Sequence, residues 1–170
     1  MNSDPERGDR ALADFAATHG ESLVRFGFQL THDRASAQDL AQDAFIKVLT
    51  GTRRGSIAPR QLVPYVKKVM LHDYLKDAKR RRALPLNVAS RAIPDRTDEI
   101  ADRQAVWAAL ESLPPRQRAA LVLRHYEDLP DREITSILRC RPATVRTLIS
   151  RGSSTIREAL RPMFVHPKAG

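Results

Sequence analysis

The sequence predicts an all-α fold of two small helical domains joined by a flexible linker, the C-terminal one with a helix-turn-helix. Apolar residues recur at the three- and four-residue spacing of helical faces through residues 9–82 and again from residue 99 onward. From Ala83 to about Asp98 this periodicity stops, and prolines and scattered polar residues take its place. We therefore expect domains at 1–83 and 99–170 with a linker at 84–98.

The first domain is expected to contain three helices, at about 9–31, 35–50 and 62–82. Their inward faces are predicted from helical spacing to hold Leu12, Phe15, Ala16, His19, Leu23, Phe26 and Leu30, then Ala37, Leu40, Ala41, Ala44, Phe45 and Val48, then Leu62, Val66, Val69, Met70 and Tyr74. The outer face of the second helix presents Asp39, Gln42, Asp43 and Lys47. The loop at 51–60 lacks the Gly-Lys-Ser/Thr ending of a P-loop, which argues against nucleotide binding there.

The second domain is expected to begin with a helix at about 99–112, with Ile100, Val106, Ala109 and Leu110 inward. The run Leu113-Pro114-Pro115 ends it, and Pro115 can open the next helix because a first turn does not use its missing N–H. That helix, to about His125, is apolar nearly all round at 119–123, which predicts a central place in the core.

The segment from Tyr126 to Arg151 predicts two short helices joined by a tight turn. Ile134, Ile137 and Leu138 share one face of the first, Cys140 falls in the turn as an expected buried hydrophobe, and Val145, Leu148 and Ile149 form the inner face of the second. The outer face of the second helix holds Arg141, Thr144, Arg146, Thr147, Ser150 and Arg151. Such side chains reach phosphates and base edges, so this helix is predicted to enter a DNA groove.

Positive charge is concentrated in the middle of the chain. The net charge is +9, yet residues 1–50 carry 5 basic and 8 acidic side chains, whereas residues 51–82 carry 10 and 2. Within the third helix Lys68, His72, Lys76 and Lys79 form a stripe that ends in basic residues 80–82. A polyanion that neutralises mutually repelling cations is the simplest rationale, and nucleic acid is the commonest such partner. The alternative is a solvated surface that favours solubility.

Other function classes find little support in the sequence. A single cysteine excludes an internal disulfide framework, and there is no Gly-x-Ser-x-Gly, His-Glu-x-x-His or clustered metal-ligand motif. We expect no enzyme activity and no cofactor, and His32, His125 and His166 are interpreted as surface or structural residues. No stretch is apolar enough to span a membrane and no apolar signal region is visible, so a cytoplasmic protein without membrane contact is expected.

The order of these motifs resembles the extracytoplasmic-function sigma factors of the bacterial sigma-70 family. The resemblance is carried by Asp39-Leu40-Ala41-Gln42-Asp43-Ala44-Phe45, the basic helix ending at Arg82, Leu113-Pro114-Pro115-Arg116-Gln117-Arg118, and the helix-turn-helix closing at Ser150-Arg151-Gly152. It covers about residues 11–160. It implies a region 2-like first domain, a region 4-like second domain, and core RNA polymerase and promoter DNA as partners, and it admits an anti-sigma factor. The alternative is a free-standing helix-turn-helix repressor or activator, which leaves the first domain unexplained.

The resemblance also implies a role for each surface. The second helix would dock on the coiled coil of the polymerase clamp through Asp39, Gln42, Asp43 and Lys47. The loop and the basic helix would melt and grip the minus-ten element through Arg53, Arg54, Arg60, Lys67, Lys68, His72, Lys76 and Lys79. The recognition helix and its turn would read the minus-thirty-five element through Arg139, Arg141, Thr144, Arg146, Thr147, Ser150 and Arg151.

The chain departs from the family pattern at three of these positions. His72 stands where relatives often carry Asn, Arg139 where the turn usually has Gly, and Arg141 where a Ser or Thr would cap the recognition helix. A left-handed backbone at Arg139 would cost on the order of 1 kcal/mol, and the missing cap a similar amount. A DNA phosphate bound at this place would offset both costs.

Overall fold

The computed structural model describes residues 5–52, 61–83 and 98–164, with side-chain environments at 13–48, 61–83 and 105–161. Over these ranges every regular element is a helix, as the sequence predicts: α1 (Pro5–Thr31), α2 (Arg34–Thr52), α3 (Leu62–Ala83), α4 (Asp98–Ser112), α5 (Pro115–Leu121), a π-helical turn (Val122–Tyr126), α6 (Asp131–Leu138) and α7 (Pro142–Phe164). The chain divides into two compact units, 1–77 and 78–170. No described helix is long and apolar enough to cross a membrane.

The first unit is a three-helix core built from the predicted apolar faces. Fully buried side chains come from α1 (Phe26, Leu30), α2 (Val48) and α3 (Val66, Met70, Leu71). Close approach of the helices depends on Gly27, where an added Cβ would lie 3.0 Å from the carbonyl oxygen of Ala37. Because that oxygen belongs to the backbone of α2, a side chain at residue 27 would push the two helices apart.

The joint between α1 and α2 is made by three residues in sequence. Thr31 Oγ1 donates to the carbonyl oxygen of Gly27, and His32 adopts a left-handed φ of 53° that turns the chain. Asp33 then caps α2, since its Oδ2 accepts from the backbone N–H of Ser36 at 2.9 Å. His32 is 9% exposed, so it is a structural residue within the fold.

The second unit is organised around α5, as its apolar composition predicts. Residues 119–123 are all buried, and Pro115 occupies the first helical position after Pro114. The helix changes to π geometry at Val122, where the N–H of Glu127 donates to the carbonyl oxygen of Val122 at 3.1 Å. Gly152 of α7 lies against α5, because a Cβ there would sit 2.8 Å from Leu121 Cδ1.

A buried arginine that the sequence analysis did not identify holds the end of α4. Arg118 is 9% exposed, and its guanidinium donates to the carbonyl oxygens of Leu110 at 3.0 Å and Glu111 at 2.7 Å. The last carbonyls of a helix have no partner within the helix, and burial without one is costly. Arg118 therefore stabilises the junction between α4 and α5.

Some local predictions were wrong. Helix α1 begins at Pro5 and α7 runs to Phe164, so the recognition helix is long rather than short. Ala16 and Val106 are exposed and Cys140 is only half-buried, whereas all three were expected inside. Periodicity identifies a helix and the direction of its apolar stripe, but not how far a neighbour covers that stripe. The side chains of Leu12 and Ile100 lie outside the described ranges.

Candidate nucleic-acid interface

The helix-turn-helix of α6 and α7 is connected by a left-handed residue. Arg139 has φ 48° and ψ 54°, and the N–H of Cys140 donates to the carbonyl oxygen of Thr135 at 3.2 Å. This is the hydrogen bond of a Schellman-type helix end, which normally favours glycine at the left-handed position. The left-handed backbone of Arg139 is consistent with the sequence-based interpretation that this arginine occupies a turn position usually held by glycine.

Helix α7 begins without a side-chain acceptor at its cap. Pro142 is its first residue, and the carbonyl oxygen of the preceding Arg141 accepts from the N–H groups of Thr144 at 2.9 Å and Val145 at 3.2 Å. A guanidinium has no acceptor atom, so Arg141 cannot cap the helix as Ser or Thr would. Proline compensates in part, since its fixed φ suits the first turn.

Two further arginines fix the ends of α6. The guanidinium of Arg116 donates to the carbonyl oxygen of Leu138 at 3.0 Å. Arg124 donates to the carbonyl oxygen of Leu129 at 3.1 Å and to the carboxylate of Asp131 at 2.6 Å, which ties the π-helical turn to the start of α6. The bonds to Leu138 and Asp131 run from α5 and from the π-helical turn to the two ends of α6, so they help to position the helix that precedes the recognition helix.

The outer face of α7 is a row of exposed polar side chains. Exposed residues include Thr144, Arg146, Thr147, Ser150 and Arg151, and in the turn Arg139 and Arg141. Inward, Val145 is fully buried while Leu148 and Ile149 are half-buried. Thr147 Oγ1 donates to the carbonyl oxygen of Ala143 at 2.9 Å, and the same oxygen can still accept a hydrogen bond. The row combines cations with hydroxyls, the chemistry that contacts phosphates and base edges.

On α3 the cationic stripe lies opposite the buried face. Lys76 and Lys79 are exposed, and Lys68 and His72 are half-buried. Lys67 lies off this stripe, with its ammonium nitrogen 5.4 Å from the ring centroid of Phe26. The loop residues Arg53, Arg54 and Arg60 fall outside the described ranges.

An aromatic residue at the start of the same face was not singled out from the sequence. Tyr65 is 43% exposed and precedes Lys68 by three residues, so it continues the stripe. In a sequence, a tyrosine among apolar residues of a helix is typical of a core position. Only its accessible surface in the structure distinguishes an exposed tyrosine from a buried one. An exposed aromatic ring beside cations suits stacking with an unpaired base.

The outer face of α2 exposes Asp39, Gln42 and Asp43, as the helical spacing predicts. It also exposes Ile46, which is 51% accessible and was not identified from the sequence. Lys47 lies on this face too, but its ammonium forms an ion pair with Asp73 of α3 at 2.7 Å. The hydrogen bond to Asp73, with the nearby charges of Asp43 and Asp77, raises the pKa of Lys47 despite the opposing effect of burial.

Within the described part of the chain, no group of three or more His, Cys, Asp or Glu side chains could hold a metal ion. The surfaces described above present charged groups, hydrogen-bonding groups and one exposed aromatic ring. Two of them are basic, and one carries acidic side chains beside an exposed isoleucine. That combination suits a protein that binds nucleic acid and a protein partner through different helices.

Several known proteins are similar to this chain in sequence or in fold. Residues 103–156 match the family model described as "Sigma-70, region 4". The chain is 28% identical over 160 residues to the RNA polymerase sigma-E factor of Streptomyces avermitilis, covering 92% of this chain and 88% of that protein. It is 30% identical to the ECF RNA polymerase sigma factor SigE of Mycolicibacterium smegmatis, covering 90% of this chain and 64% of that protein.

Among solved structures, the sigma factor RpoE from Bartonella quintana, crystallised in complex with the anti-sigma factor NepR, has the same fold. The TM-score is 0.65 with 18% sequence identity, over 89% of this chain and 98% of that one. The matched family model covers α6, the turn and α7 as far as residue 156, and the sigma-E relative aligns over 92% of the chain. Over most of its length the chain is thus similar to RNA polymerase sigma factors, and its second unit contains the match to sigma-70 region 4.

Proposed function

We propose that the chain is a dissociable subunit of RNA polymerase that binds the core enzyme, recognises promoter DNA and directs the initiation of transcription. The observation that carries this proposal is the row of exposed cations and hydroxyls on α7, within the region matched to sigma-70 region 4. Members of this family regulate transcription and are not enzymes. Catalysis accordingly stays with the polymerase, and the chain needs no cofactor and no activity of its own.

The recognition helix α7 reads the upstream, minus-thirty-five element in this proposal. Arg146 and Thr147 lie in the middle of its exposed face and are the candidates for contacts with base edges. Arg139, Arg141, Thr144, Ser150 and Arg151 surround them and are candidates for phosphate contacts. In the first turn of α7 the backbone N–H of Ala143 is a further candidate phosphate contact, since Pro142 has no N–H and those of Thr144 and Val145 donate to the carbonyl oxygen of Arg141.

Helix α3 and the loop before it act on the minus-ten element. Lys68, His72, Lys76 and Lys79 bind the phosphates, with Lys67, Arg53, Arg54 and Arg60 as further candidate contacts. Tyr65 is placed to stack against a base that has left the duplex. Strand opening of this kind is binding work, because capture of an unpaired base offsets an unstacking cost of a few kcal/mol.

Helix α2 docks on the polymerase in this proposal. Asp39, Gln42 and Asp43 lie on the same exposed helical face as Ile46, which places acidic and polar side chains beside an apolar one. Interfaces of this composition obtain most of their affinity at the apolar centre and their specificity from the surrounding charges. Because core polymerase and promoter DNA are its partners, the chain would act in the cytoplasm.

Regulation by an anti-sigma factor belongs to the same proposal, since the structural relative from Bartonella quintana was crystallised with one. Run-off transcription tests the function directly. Core polymerase is supplied with a genomic promoter library, with and without the full chain, and the transcripts are sequenced. Transcripts that start at defined sites only when the chain is present support the proposal. A free-standing repressor or activator would bind DNA without giving core polymerase new start sites.

A further inference from the structure

Lys47 shares the exposed face of α2 with Asp39 and Asp43, yet its ammonium is turned to a carboxylate of α3. Lys47 Nζ donates to Asp73 Oδ2 at 2.7 Å, with the Lys47 side chain 55% exposed and the Asp73 side chain 21% exposed. Ion pairs this exposed contribute little to stability, because solvent screens them and both side chains lose freedom. Stabilisation of the fold is therefore a weak reason for this pair.

Asp73 has a second possible cation on its own helix. It precedes Lys76 by three residues, and side chains at that spacing are neighbours on a helix surface. A carboxylate that turned to Lys76 would engage an exposed cation of the stripe. It would also place negative charge where a phosphate has to lie. The bond to Lys47 keeps the Asp73 carboxylate on the α2 side of α3.

The charges around this pair reinforce the arrangement. Asp43 of α2 and Asp77 of α3 both act electrostatically on Lys47, in addition to Asp73. Together with the hydrogen bond to Asp73, these charges raise the pKa of the lysine. Lys47 thus lies among three carboxylates, two of them on the helix that carries the DNA-facing stripe.

We propose that Lys47 is a positioning residue for DNA binding: by holding Asp73 away from Lys76, it leaves the stripe of α3 available to phosphates. Lys47 then acts through Asp73 and not as a contact to polymerase. The inference rests on the proposed function for the identity of the polyanion. It assigns Lys47 to DNA affinity, whereas its position on α2 alone suggests the docking surface.

The test measures binding of the full chain to a fluorescently labelled single-stranded oligonucleotide by anisotropy at fixed low salt. Lys47→Ala is expected to weaken binding roughly two- to fivefold, the effect of one unscreened carboxylate near a phosphate site. Asp73→Asn is expected to strengthen binding by a similar factor. The double variant should bind as Asp73→Asn does, since Lys47 has no role once the carboxylate is gone.

Two controls separate this from simpler explanations. Arg25→Ala removes a cation of similar exposure (64%, against 55% for Lys47), paired with Glu21 at 3.9 Å on α1, and should leave affinity nearly unchanged. Lys47→Arg keeps the bond to Asp73 and should restore wild-type binding. A merely structural pair would make Asp73→Asn bind more weakly, not more tightly. That result, or equal losses for Lys47→Ala and Arg25→Ala, would overturn the inference.

Titration of the same variants against core polymerase completes the test. Lys47→Ala and the wild type should bind core polymerase equally. If Lys47→Ala bound core polymerase more weakly, and adding Asp73→Asn did not restore that binding, Lys47 would be a docking residue and the inference would be overturned. A wild-type chain that failed to bind the oligonucleotide would instead refute the assignment of the α3 stripe to DNA, and the inference with it. A wild type that binds while Lys47→Ala binds equally well would refute the inference alone.

Discussion

The guanidinium of Arg116 donates a 3.0 Å hydrogen bond to the carbonyl oxygen of Leu138, immediately before the left-handed Arg139. This carbonyl is among the last of α6, which have no partner within the helix. The bond connects α5 to the end of α6 at the residue where the chain turns toward α7. It therefore supports a turn whose backbone lacks the glycine that such a conformation favours.

We predict that Arg116→Ala lowers the free energy of unfolding of the second unit by about 1–2 kcal/mol, the value of a charge-assisted hydrogen bond to a partly buried acceptor. Denaturant unfolding followed by fluorescence measures this cleanly, because Trp107 in α4 is the only tryptophan of the chain. Arg157→Ala on the exposed face of α7 is the matched control and should change stability by less than about 0.5 kcal/mol. Equal stability of the two variants would mean that the bond contributes nothing.

The turn itself gives a second prediction. Arg139→Gly combined with Arg141→Ser should stabilise the second unit by about 1–2 kcal/mol, through relief of the left-handed strain and a restored cap. The same change should weaken DNA binding, because two exposed cations near the phosphates are removed. Trp107 fluorescence and a DNA titration at fixed salt provide the two measurements. A double variant that gains no stability and binds DNA normally would show that these arginines are ordinary surface residues.

The turn also shows how far the sequence can predict this structure. Arg139 and Arg141 stood out because each occupies a position where the local backbone has a chemical requirement, and the left-handed φ of 48° at Arg139 agrees with that reasoning. Pro115 was placed correctly at a helix start for the same kind of reason. Helical periodicity likewise located the buried faces of α1, α2, α3 and α5.

Features that depend on contacts distant in sequence could not be predicted. Arginine is a residue type usually found at the surface. Only the position of α4 reveals that Arg118 donates hydrogen bonds to the carbonyl oxygens of Leu110 and Glu111. Ile46 and Tyr65 are of residue types expected in a core, yet both side chains are exposed in the structure. The ion pair of Lys47 joins residues 26 positions apart. In each case the packing of distant helices determines the exposure or the bonding partner of the residue. The local sequence pattern carries no information about that packing.

Two glycines of α1 should respond in opposite ways to the same substitution. An added Cβ at Gly20 meets nothing within 4 Å, so Gly20→Ala should stabilise the first unit by about 0.5–1 kcal/mol through helix propensity. At Gly27 the Cβ would lie 3.0 Å from the backbone oxygen of Ala37, so Gly27→Ala should destabilise it by about 1–3 kcal/mol. Amide hydrogen exchange across α1 and α2 measures both. Opposite signs support the close helix contact at Gly27, and a stabilising Gly27→Ala would refute it.

Charge reversal tests the docking face of α2. Asp39→Lys with Asp43→Lys should leave the fold intact, because both side chains are exposed, yet weaken the complex with core polymerase by roughly 1–3 kcal/mol. Because Asp43 also acts on Lys47, Asp39→Lys alone should be compared with the double variant. Glu21→Lys on α1 reverses an exposed charge elsewhere and serves as the control. Equal co-purification of the wild type and the double variant with polymerase would exclude this face as the docking surface.

Transcript sequencing from a library with randomised upstream elements tests the central claim most directly, that α7 directs polymerase to promoters. Core polymerase is used alone, with the wild type, and with Arg146→Ala or Thr147→Ala, two residues on the exposed face of α7. We expect specific transcripts only with the added chain, a defined upstream motif for the wild type, and relaxed preference worth about 1–3 kcal/mol at the affected base for each variant. The same transcripts without the chain, or an identical motif from the wild type and both variants, would contradict it.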